Sequence, residues 1–245
     1  MNIVVAMAGL GARFRDAGWT APKPLIDVLG EPMYSWALKG LPLDLADRVI
    51  LIVSEELDRD PGFHKDLHER YSNLPLVVRS TPPTEGQACT VLLARDLIDN
   101  DEPLLIFNAD TYQQSSQLRG LICNPHIDGS LSVFRAPGDK WSFVRTEGTG
   151  RVVETAEKRR ISEWASTGLY HFAHGKDFVR AADEMIAADD RVNGEFYVAP
   201  VYNRLLKNGA NILLNEVEEI HVFGTPEDLN QFMVDTVAWK GTQGG

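Results

Sequence analysis

Two cationic side chains near the start of the chain suit a phosphate ligand. An apolar run over residues 3–7 ends in the sequence AGLG at residues 8–11, and glycines there let backbone N–H groups approach an anion. Arg13 follows closely, and Lys23 stands between two prolines. Because proline fixes its own backbone and restricts the residue before it, the Lys23 side chain is held in one direction. The segment predicts a phosphate-binding site, and the alternative is a purely structural turn.

Two common nucleotide-binding fingerprints do not fit this turn. GxGxxG needs a glycine where the chain has Phe14, and no acidic residue completes a dinucleotide-binding unit. The P-loop pattern fails because Ala12 follows Gly11 where a lysine is required. We expect Trp19 to pack rather than to stack on a base.

A carboxylate follows the apolar run at residues 104–108. Asp110 would lie at the carboxyl end of a parallel strand, where open α/β sheets bind ligands. Mg²⁺ prefers one or two carboxylates together with phosphate oxygens, so Asp110 is a candidate ligand of Mg²⁺ or Mn²⁺. The alternative is a helix-capping or turn-forming aspartate.

These motifs together resemble the nucleotidyltransferases that make nucleoside-diphosphate sugars. The family signature is a glycine-rich loop, x-Arg-[Phe/Leu], a gap and Pro-Lys-x-Leu, and the chain reads GLGARF and PKPL at these places. The resemblance implies that Arg13 and Lys23 contact the phosphates of an NTP and that Asp110 holds the metal. It implies further nucleotide contacts from Ala8, Gly9, Leu10, Gly11, Gly86, Gln87 and Asn108.

The segment TPPTEGQACT resembles the family's base-reading loop. Gly86 would let a base approach closely, and the Gln87 amide can both donate to and accept from the edge of a base. The alternative is a plain loop in which Thr84 caps the following helix. Gln87 suits more than one base; room beside Trp19 favours the small pyrimidine of CTP or UTP.

Three motifs in the second half resemble the family's acceptor site. The Glu-Lys step at residues 157–158 implies that Lys158 holds the acceptor phosphate, and the Gly-Leu-Tyr strand places Gly168 nearby. Glu195, in a Gly-Glu pair, would contact acceptor hydroxyl groups.

The chain departs from the family pattern at two places. Ala199-Pro200 replaces the usual Thr-Asp, and Val222 stands where the family has a second metal-binding aspartate. Either Asp110 then works with substrate oxygens and water alone, or Glu195 or Glu218 assists. Both choices stay open.

The resemblance implies a metal-dependent enzyme that joins an NTP to a phosphorylated small molecule and releases pyrophosphate, in a capsule or surface-glycan pathway. The acceptor is a sugar 1-phosphate or a non-sugar phosphate such as an amino-acid or polyol phosphate. One alternative is a glycosyltransferase of similar fold, although the strand end reads Asn-Ala-Asp rather than Asp-x-Asp. Another is a catalytically silent nucleotide-binding module.

Composition narrows the class of protein. The chain has 245 residues, 44% of them hydrophobic, and a net charge of −11, which argues against a nucleic-acid partner. Its two cysteines form no metal-binding or disulfide pattern. No signal peptide and no run of about 20 apolar residues is apparent. We expect a cytoplasmic protein without a membrane partner, and a homo-oligomer stays open.

The hydrophobic pattern predicts the elements that position these residues. Near-continuous apolar runs at 3–7, 48–54, 76–79 and 104–108 predict buried parallel strands, alternating with helices at 33–41, 63–71 and 87–98. The runs at 130–135, 141–145 and 151–156 predict a meander. We expect one nucleotidyltransferase domain over residues 1–240 and a disordered tail at 241–245. The predicted fold is a Rossmann-like, GT-A-type three-layer α/β/α domain with a mixed, mostly parallel sheet.

Overall fold

Strands and helices alternate along the protein, whose computed structural model describes residues 1–243, with side chains through residue 235. The strands are β1 (Asn2–Met7), β2 (Asp27–Val28), β3 (Glu31–Pro32), β4 (Arg48–Ser54), β5 (Leu76–Thr81), β6 (Leu104–Asn108), β7 (Thr111–Gln114), β8 (Gly129–Arg135), β9 (Ser142–Glu147), β10 (Arg151–Glu157), β11 (Trp164–Phe172), β12 (Ile212–Glu216) and β13 (Glu219–Val222). The α-helices are α1 (Ala12–Asp16), α2 (Met33–Lys39), α3 (Glu55–Asp58), α4 (Pro61–Tyr71), α5 (Gln87–Leu92), α6 (Arg95–Ile98), α7 (Leu118–Ile122), α8 (Gly175–Ala187), α9 (Tyr202–Lys207) and α10 (Pro226–Gln243). Short 3₁₀ turns occur at Lys23–Leu25, Leu43–Leu45 and Ala199–Val201.

The expected disordered tail falls at the limit of the described residues. The side chains of residues 241–245 lie outside them, and residues 244 and 245 lie outside altogether. That expectation stays a prediction.

One mixed sheet has the strand order β5-β4-β1-β6-β11-β8-β12-β10-β9. The first four strands are all parallel, with Val4 of β1 aligned with Ile50 of β4 and Ile106 of β6. The apolar runs of β1, β4 and β6 are buried on both faces, as the sequence predicts. The run at 76–79 is only partly buried, because β5 is an edge strand, and the prediction of a fully buried strand is wrong there. The carboxyl ends of β1 and β6 therefore lie side by side, and the chain leaves them as the AGLG turn and as Ala109-Asp110.

The second half of the sheet is mainly antiparallel. β11 pairs with β6 on one side and with β8 on the other, and β8 also pairs in parallel with β12. The predicted meander is therefore wrong at its first step, because β8 lies between β11 and β12, and β9 pairs with β10 and with β11 instead. The physical reason is burial: most of β8 is buried, so it needs a neighbouring strand on each side.

Helices cover both faces of the sheet, as the predicted three-layer arrangement requires. On one face Val4, Ile50 and Ile106 belong to a core with Phe178 and Met185 of α8. On the other face the neighbouring strand residues pack against helical side chains, among them Tyr34, Leu38 and Phe63. This alternation along β1 follows from the two-residue period of a strand.

The predicted helix at 87–98 is interrupted. It forms α5 and α6 with a turn between them, and Arg79 donates to the carbonyl oxygen of Leu93 at 2.7 Å, which satisfies a backbone group that the interruption releases. Among the described residues, no helix is long and apolar enough to cross a membrane.

Candidate active site

A cavity of about 600 Å³ lies at the carboxyl ends of β1 and β6. The AGLG turn and Lys23 form one wall, residues 83–90 form the opposite wall, and residues 108–110 form the floor. Glu195 and Tyr197 close the remaining side. The predicted site residues that line this cavity are Ala8, Gly9, Leu10, Gly11, Lys23, Gly86, Gln87, Asn108, Asp110 and Glu195.

Gly11 sets the shape of the first wall. Its φ of +64° is left-handed, and a Cβ at this position would lie 2.9 Å from the Cβ of Lys23. Glycine is therefore required both by the backbone conformation and by the approach of Lys23. The next turn is anchored by Phe14, which is buried and packs edge-to-face against Trp19 with a centroid distance of 5.8 Å.

Lys23 and Asp110, which both line the cavity, form an ion pair. The Lys23 Nζ atom lies 2.6 Å from Asp110 Oδ2 and 3.3 Å from the carbonyl oxygen of Gly224. Both side chains are half-buried, and Lys23 also lies over the Phe14 ring at 5.4 Å. The structure thus brings together the two residues that the sequence assigned to the phosphates and to the metal.

Asn108 links the floor to the second wall. Its Oδ1 atom accepts a hydrogen bond from the Gln87 side chain. Gly168 lies behind it: a Cβ there would fall 2.1 Å from Asn108 Nδ2, and the φ of Gly168 is +89°. Gly168 does not line the cavity, so it acts on the site by leaving room for Asn108.

Gly86 approaches protein backbone on its buried side. A Cβ at Gly86 would lie 2.5 Å from the carbonyl oxygen of Phe196, and φ is +128°. Two hydrogen bonds join the same segments, from the Phe196 N–H to the Glu85 carbonyl and from the Ala88 N–H to the Phe196 carbonyl, at 2.9 and 3.0 Å. Helix α5 has no side-chain N-cap, so Thr84 does not cap it.

A tight turn presents Glu195 to the cavity. Asn193 and Gly194 have φ values of +50° and +83°, and Val192 and Glu195 form an isolated antiparallel bridge. Two successive positive φ values are typical of a type I′ turn, for which Asn-Gly is the preferred sequence.

Lys158 reaches the cavity only through Tyr197. Its Nζ atom donates to the Tyr197 hydroxyl at 2.5 Å and lies 4.6 Å from the ring centroid. Burial lowers the pKa of Lys158, but Tyr197 and the carboxylates of Glu157 and Glu195 raise it by more, so the net shift is upward and the charge is retained. Lys158 also has a φ of +50°.

The sequence reasoning missed Tyr197, and it gave Glu157, the first residue of the Glu-Lys step, no role of its own. Tyr197 stands two residues after Glu195, the spacing that puts side chains on one face of an extended segment, so the signal was present. Glu157 is buried beside the hydroxyl of Ser142, which donates to it, and burial raises the pKa of the Glu157 carboxyl. Other lining residues that were missed are Ala6, Met7, Ala12, Pro24, Met33, Pro83, Thr84, Thr90 and Ala109.

Two residues near the glycine turn do not line the cavity. Arg13 is exposed on α1, and its side chain has no hydrogen bond or ion pair within the described part of the chain. Trp19 packs as predicted, in a cluster with Phe14, and so offers no wall for a base. The preference for a pyrimidine beside Trp19 therefore lacks a structural basis.

Asp110 and Glu195 are the carboxylate residues among those that line the described cavity, so a divalent cation bound at Asp110 would have to complete its coordination with substrate oxygens. Within the described residues, no group of three or more His, Cys, Asp or Glu side chains could hold a metal. Strand β13 passes Asp110: Val222 is aligned with Thr111, and the Phe223 N–H donates to the Asp110 carbonyl oxygen at 2.8 Å, so neither residue offers a carboxylate for a metal. Glu218 instead accepts hydrogen bonds from Ser116 at a second cavity, whereas Glu195 shares the cavity of Asp110.

Comparisons with known proteins bear on the family and the fold. A sequence model of the nucleotidyl transferase family matches residues 2–197. The crystal structure of a nucleoside-diphosphate-sugar pyrophosphorylase from Vibrio cholerae RC9 is 31% identical, with a TM-score of 0.83 over 94% of this chain and 99% of that chain. The UTP–glucose-1-phosphate uridylyltransferase AglF of Haloferax volcanii is 24% identical over 94% of each chain. The bifunctional protein GlmU of Fervidobacterium nodosum is 23% identical over 97% of this chain, which spans 50% of that protein's length.

The fold and the cavity define a Rossmann-like α/β protein with a glycine-lined ligand site. The chain belongs to the nucleotidyl transferase family.

Proposed function

We propose that the protein transfers a nucleotidyl group from an NTP to a phosphorylated small molecule, with release of pyrophosphate. The carrying observation is the Lys23–Asp110 pair at 2.6 Å, between the glycine turn and the end of β6. It combines, within one cavity, a cation for phosphate oxygens and a carboxylate for a metal.

The reaction needs positioning more than acid–base chemistry. A phosphate oxygen of the acceptor attacks the α-phosphorus of the NTP, a new P–O bond forms, and the bond to the β-phosphate oxygen breaks as pyrophosphate leaves. The acceptor phosphate is already anionic near neutral pH. Charge neutralisation and alignment of the two phosphates are therefore the main tasks of the protein.

Each wall of the cavity takes one part of this task. Lys23 would bind oxygens of the triphosphate, while the backbone of residues 8–11 provides access and Gln87 holds the base edge. Asp110 would hold Mg²⁺ or Mn²⁺, which neutralises charge on phosphate oxygens when bound. On the acceptor side, Lys158 would hold the attacking phosphate, and Glu195 would orient the rest of the acceptor. Arg13, which is exposed beside the turn, would contact the outer phosphates from the solvent side.

The acceptor we propose first is a sugar 1-phosphate, in line with the names of the relatives. Non-sugar phosphates, such as amino-acid or polyol phosphates, stay candidate acceptors. The reason is that Ala199 and Pro200 are buried and offer no side-chain hydroxyl or carboxylate to a sugar. Uridylyl or cytidylyl transfer is proposed ahead of the transfer of a purine nucleotide, since the relative named as a uridylyltransferase matches this chain over 94% of its own length. A role in capsule or surface-glycan synthesis completes the proposal.

A pyrophosphate-release assay tests this function. Each of ATP, GTP, CTP and UTP is paired with sugar 1-phosphates, polyol phosphates and amino-acid phosphates, with and without Mg²⁺. We expect release only when NTP, one class of acceptor and metal are present together. Turnover of nucleotide-sugar donors without any NTP-dependent release would support a glycosyltransferase instead, and binding of NTP without any turnover would support a silent nucleotide-binding module.

A further inference from the structure

Arg191 lies at the junction of two walls of the cavity and has no role in the chemistry described so far. Its guanidinium lies 2.5 Å from Glu85 Oε2 and 2.5 Å from Asp189 Oδ1, and it donates to the Gly194 carbonyl oxygen at 3.1 Å. It also stacks over the Phe196 ring at 4.1 Å. One side chain thus joins the loop before α5 to the turn that carries Glu195.

The backbone beneath Arg191 joins the same two segments. The Phe196 N–H donates to the Glu85 carbonyl, and the Ala88 N–H donates to the Phe196 carbonyl. Gly86 makes this approach possible, since any Cβ would collide with the Phe196 backbone. We call residues 84–88 and 192–197, with Arg191, the inter-wall junction.

The junction has two ligand-facing ends. Gly86 and Gln87 line the cavity on the side proposed for the base, and Glu195 and Tyr197 line it on the side proposed for the acceptor. A shift of either segment must therefore move the other or break their shared hydrogen bonds.

Arg191 anchors the turn at the acceptor end. Asp189 and Asn193 both have φ values of +50°, a left-handed conformation that Asp and Asn adopt more readily than other non-glycine residues. Arg191 pairs with Asp189, which precedes this turn, and donates to the Gly194 carbonyl oxygen within it. A lysine could not do this, because it lacks the planar fork that engages several oxygens at once.

We propose that Arg191 is a positioning residue that couples nucleotide binding to the acceptor wall. Nucleotide bound against Gly86 and Gln87 fixes residues 84–88, and the junction then fixes Glu195 and Tyr197 for the acceptor. This inference rests on the proposed function, because it takes the ligand at Gln87 to be the base of an NTP.

Hydrogen exchange measured by mass spectrometry tests the coupling without turnover. The full chain is exchanged alone and with saturating MgATP, MgGTP, MgCTP or MgUTP, and peptides from residues 8–11, 84–90 and 190–197 are followed. We expect the NTP that binds to slow exchange in all three, by at least about fivefold at residues 190–197. In Arg191→Ala, protection of residues 8–11 and 84–90 should remain while that of residues 190–197 is lost.

Two further variants make the result specific. Arg180→Ala removes an exposed arginine of α8 that pairs with Asp177 at 2.8 Å, and it should behave as the unaltered protein does. Glu85→Gln removes one charged partner of Arg191 without removing the arginine, and it should reduce the protection of residues 190–197 in part. It provides the test if Arg191→Ala fails to fold.

The outcomes separate this inference from the proposed function. Protection of residues 8–11 and 84–90 without protection of residues 190–197 would overturn the coupling and leave the nucleotide site intact. Unchanged protection in Arg191→Ala and Glu85→Gln would overturn the role of Arg191. Absence of protection with every NTP would contradict the proposed function, and the inference with it.

Discussion

The two sides of the site are built in different ways. We call Lys23 and Asp110, with the turn at residues 8–11, the nucleotide wall, and Lys158, Glu195 and Tyr197 the acceptor wall. Lys23 and Asp110 lie beside the carboxyl ends of two parallel strands that are buried on both faces. Lys158 and Glu195 instead lie on irregular segments with positive φ values, and each is exposed. One wall is therefore fixed by the core of the sheet, whereas the other depends on local turns and on contacts such as those of Arg191.

This difference shows where the protein can vary. Strand ends in a packed core move little, so the side chains proposed to contact the phosphates and the metal are held by the fold itself. Turns tolerate substitution, and both departures from the family pattern, Ala199-Pro200 and Val222, fall in the second half of the chain. Acceptor choice is the property that we expect to differ most among similar proteins.

The largest expected effect lies on the nucleotide wall. Asp110→Asn keeps the size of the side chain and removes its charge, so kcat/KM in the pyrophosphate-release assay should fall by about 10²–10³-fold. The matched change on the acceptor wall, Glu195→Gln, should cost about tenfold. Equal losses in the two variants would remove the distinction between the walls.

A second test concerns the contact between the two halves at Gly168. In Gly168→Ala the new Cβ would meet Asn108 at 2.1 Å in a backbone with positive φ, and we expect the free energy of unfolding to fall by about 2–4 kcal/mol. Gly209→Ala is the control, because φ there is +85° but, within the described part of the chain, no non-neighbouring heavy atom lies within 4 Å of the Cβ. It should lose about 1 kcal/mol in urea unfolding. Similar losses of unfolding free energy in the two variants would mean that the Asn108 side chain moves away from the new Cβ at little cost.

A third test uses His171 on β11, the strand that joins the halves. Burial lowers the pKa of His171 from 6.5 to about 4, so the unfolded chain takes up the proton first as the pH falls. Stability is therefore complete above pH 6.5 and decreases towards pH 4, by at most about 3 kcal/mol from this residue. His171→Gln should flatten the change in the free energy of unfolding between pH 7 and 4. Parallel pH curves for the two proteins would contradict this.

The smallest effect is expected at Lys158. Lys158→Ala removes the cation bonded to Tyr197, so KM for the acceptor should rise about tenfold while KM for the NTP stays within about twofold. Arg159→Ala changes the next residue, an exposed arginine paired with Glu154, and should leave both constants unchanged. A rise in KM for the NTP would mean that Lys158 contacts the nucleotide, and it would contradict the assignment of Lys158 to the acceptor.

Sequence patterns predict the nucleotide half well, for physical reasons. Strands buried on both faces read as unbroken apolar runs, so β4 and β6 are found with their observed ends. The glycine turn, Lys23 and Asp110 follow directly from such strands and meet in one cavity. Local chemistry is enough to find them.

Contacts between distant residues could not be predicted. Gly168 approaches Asn108 and Gly86 approaches Phe196 across separations of 60 and 110 residues, and no local pattern encodes either contact. The order of β8, β9 and β10 was mistaken for the same reason, since pairing depends on which edges the rest of the sheet leaves open. Lys158 interacts with Tyr197 and Glu157. These contacts form only when the fold brings β10 and the turn after α8 together, so the sequence does not reveal them.

The fate of the acceptor phosphate tests the central claim most directly. An acceptor whose phosphate carries ¹⁸O is incubated with the active NTP and Mg²⁺, and the products are analysed by ³¹P NMR and mass spectrometry. We expect one diphosphate product in which ¹⁸O bridges the acceptor phosphorus and the α-phosphorus of the NTP, with unlabelled pyrophosphate in equal amount. Release of ¹⁸O-labelled inorganic phosphate, with the NTP intact or cleaved elsewhere, would contradict nucleotidyl transfer.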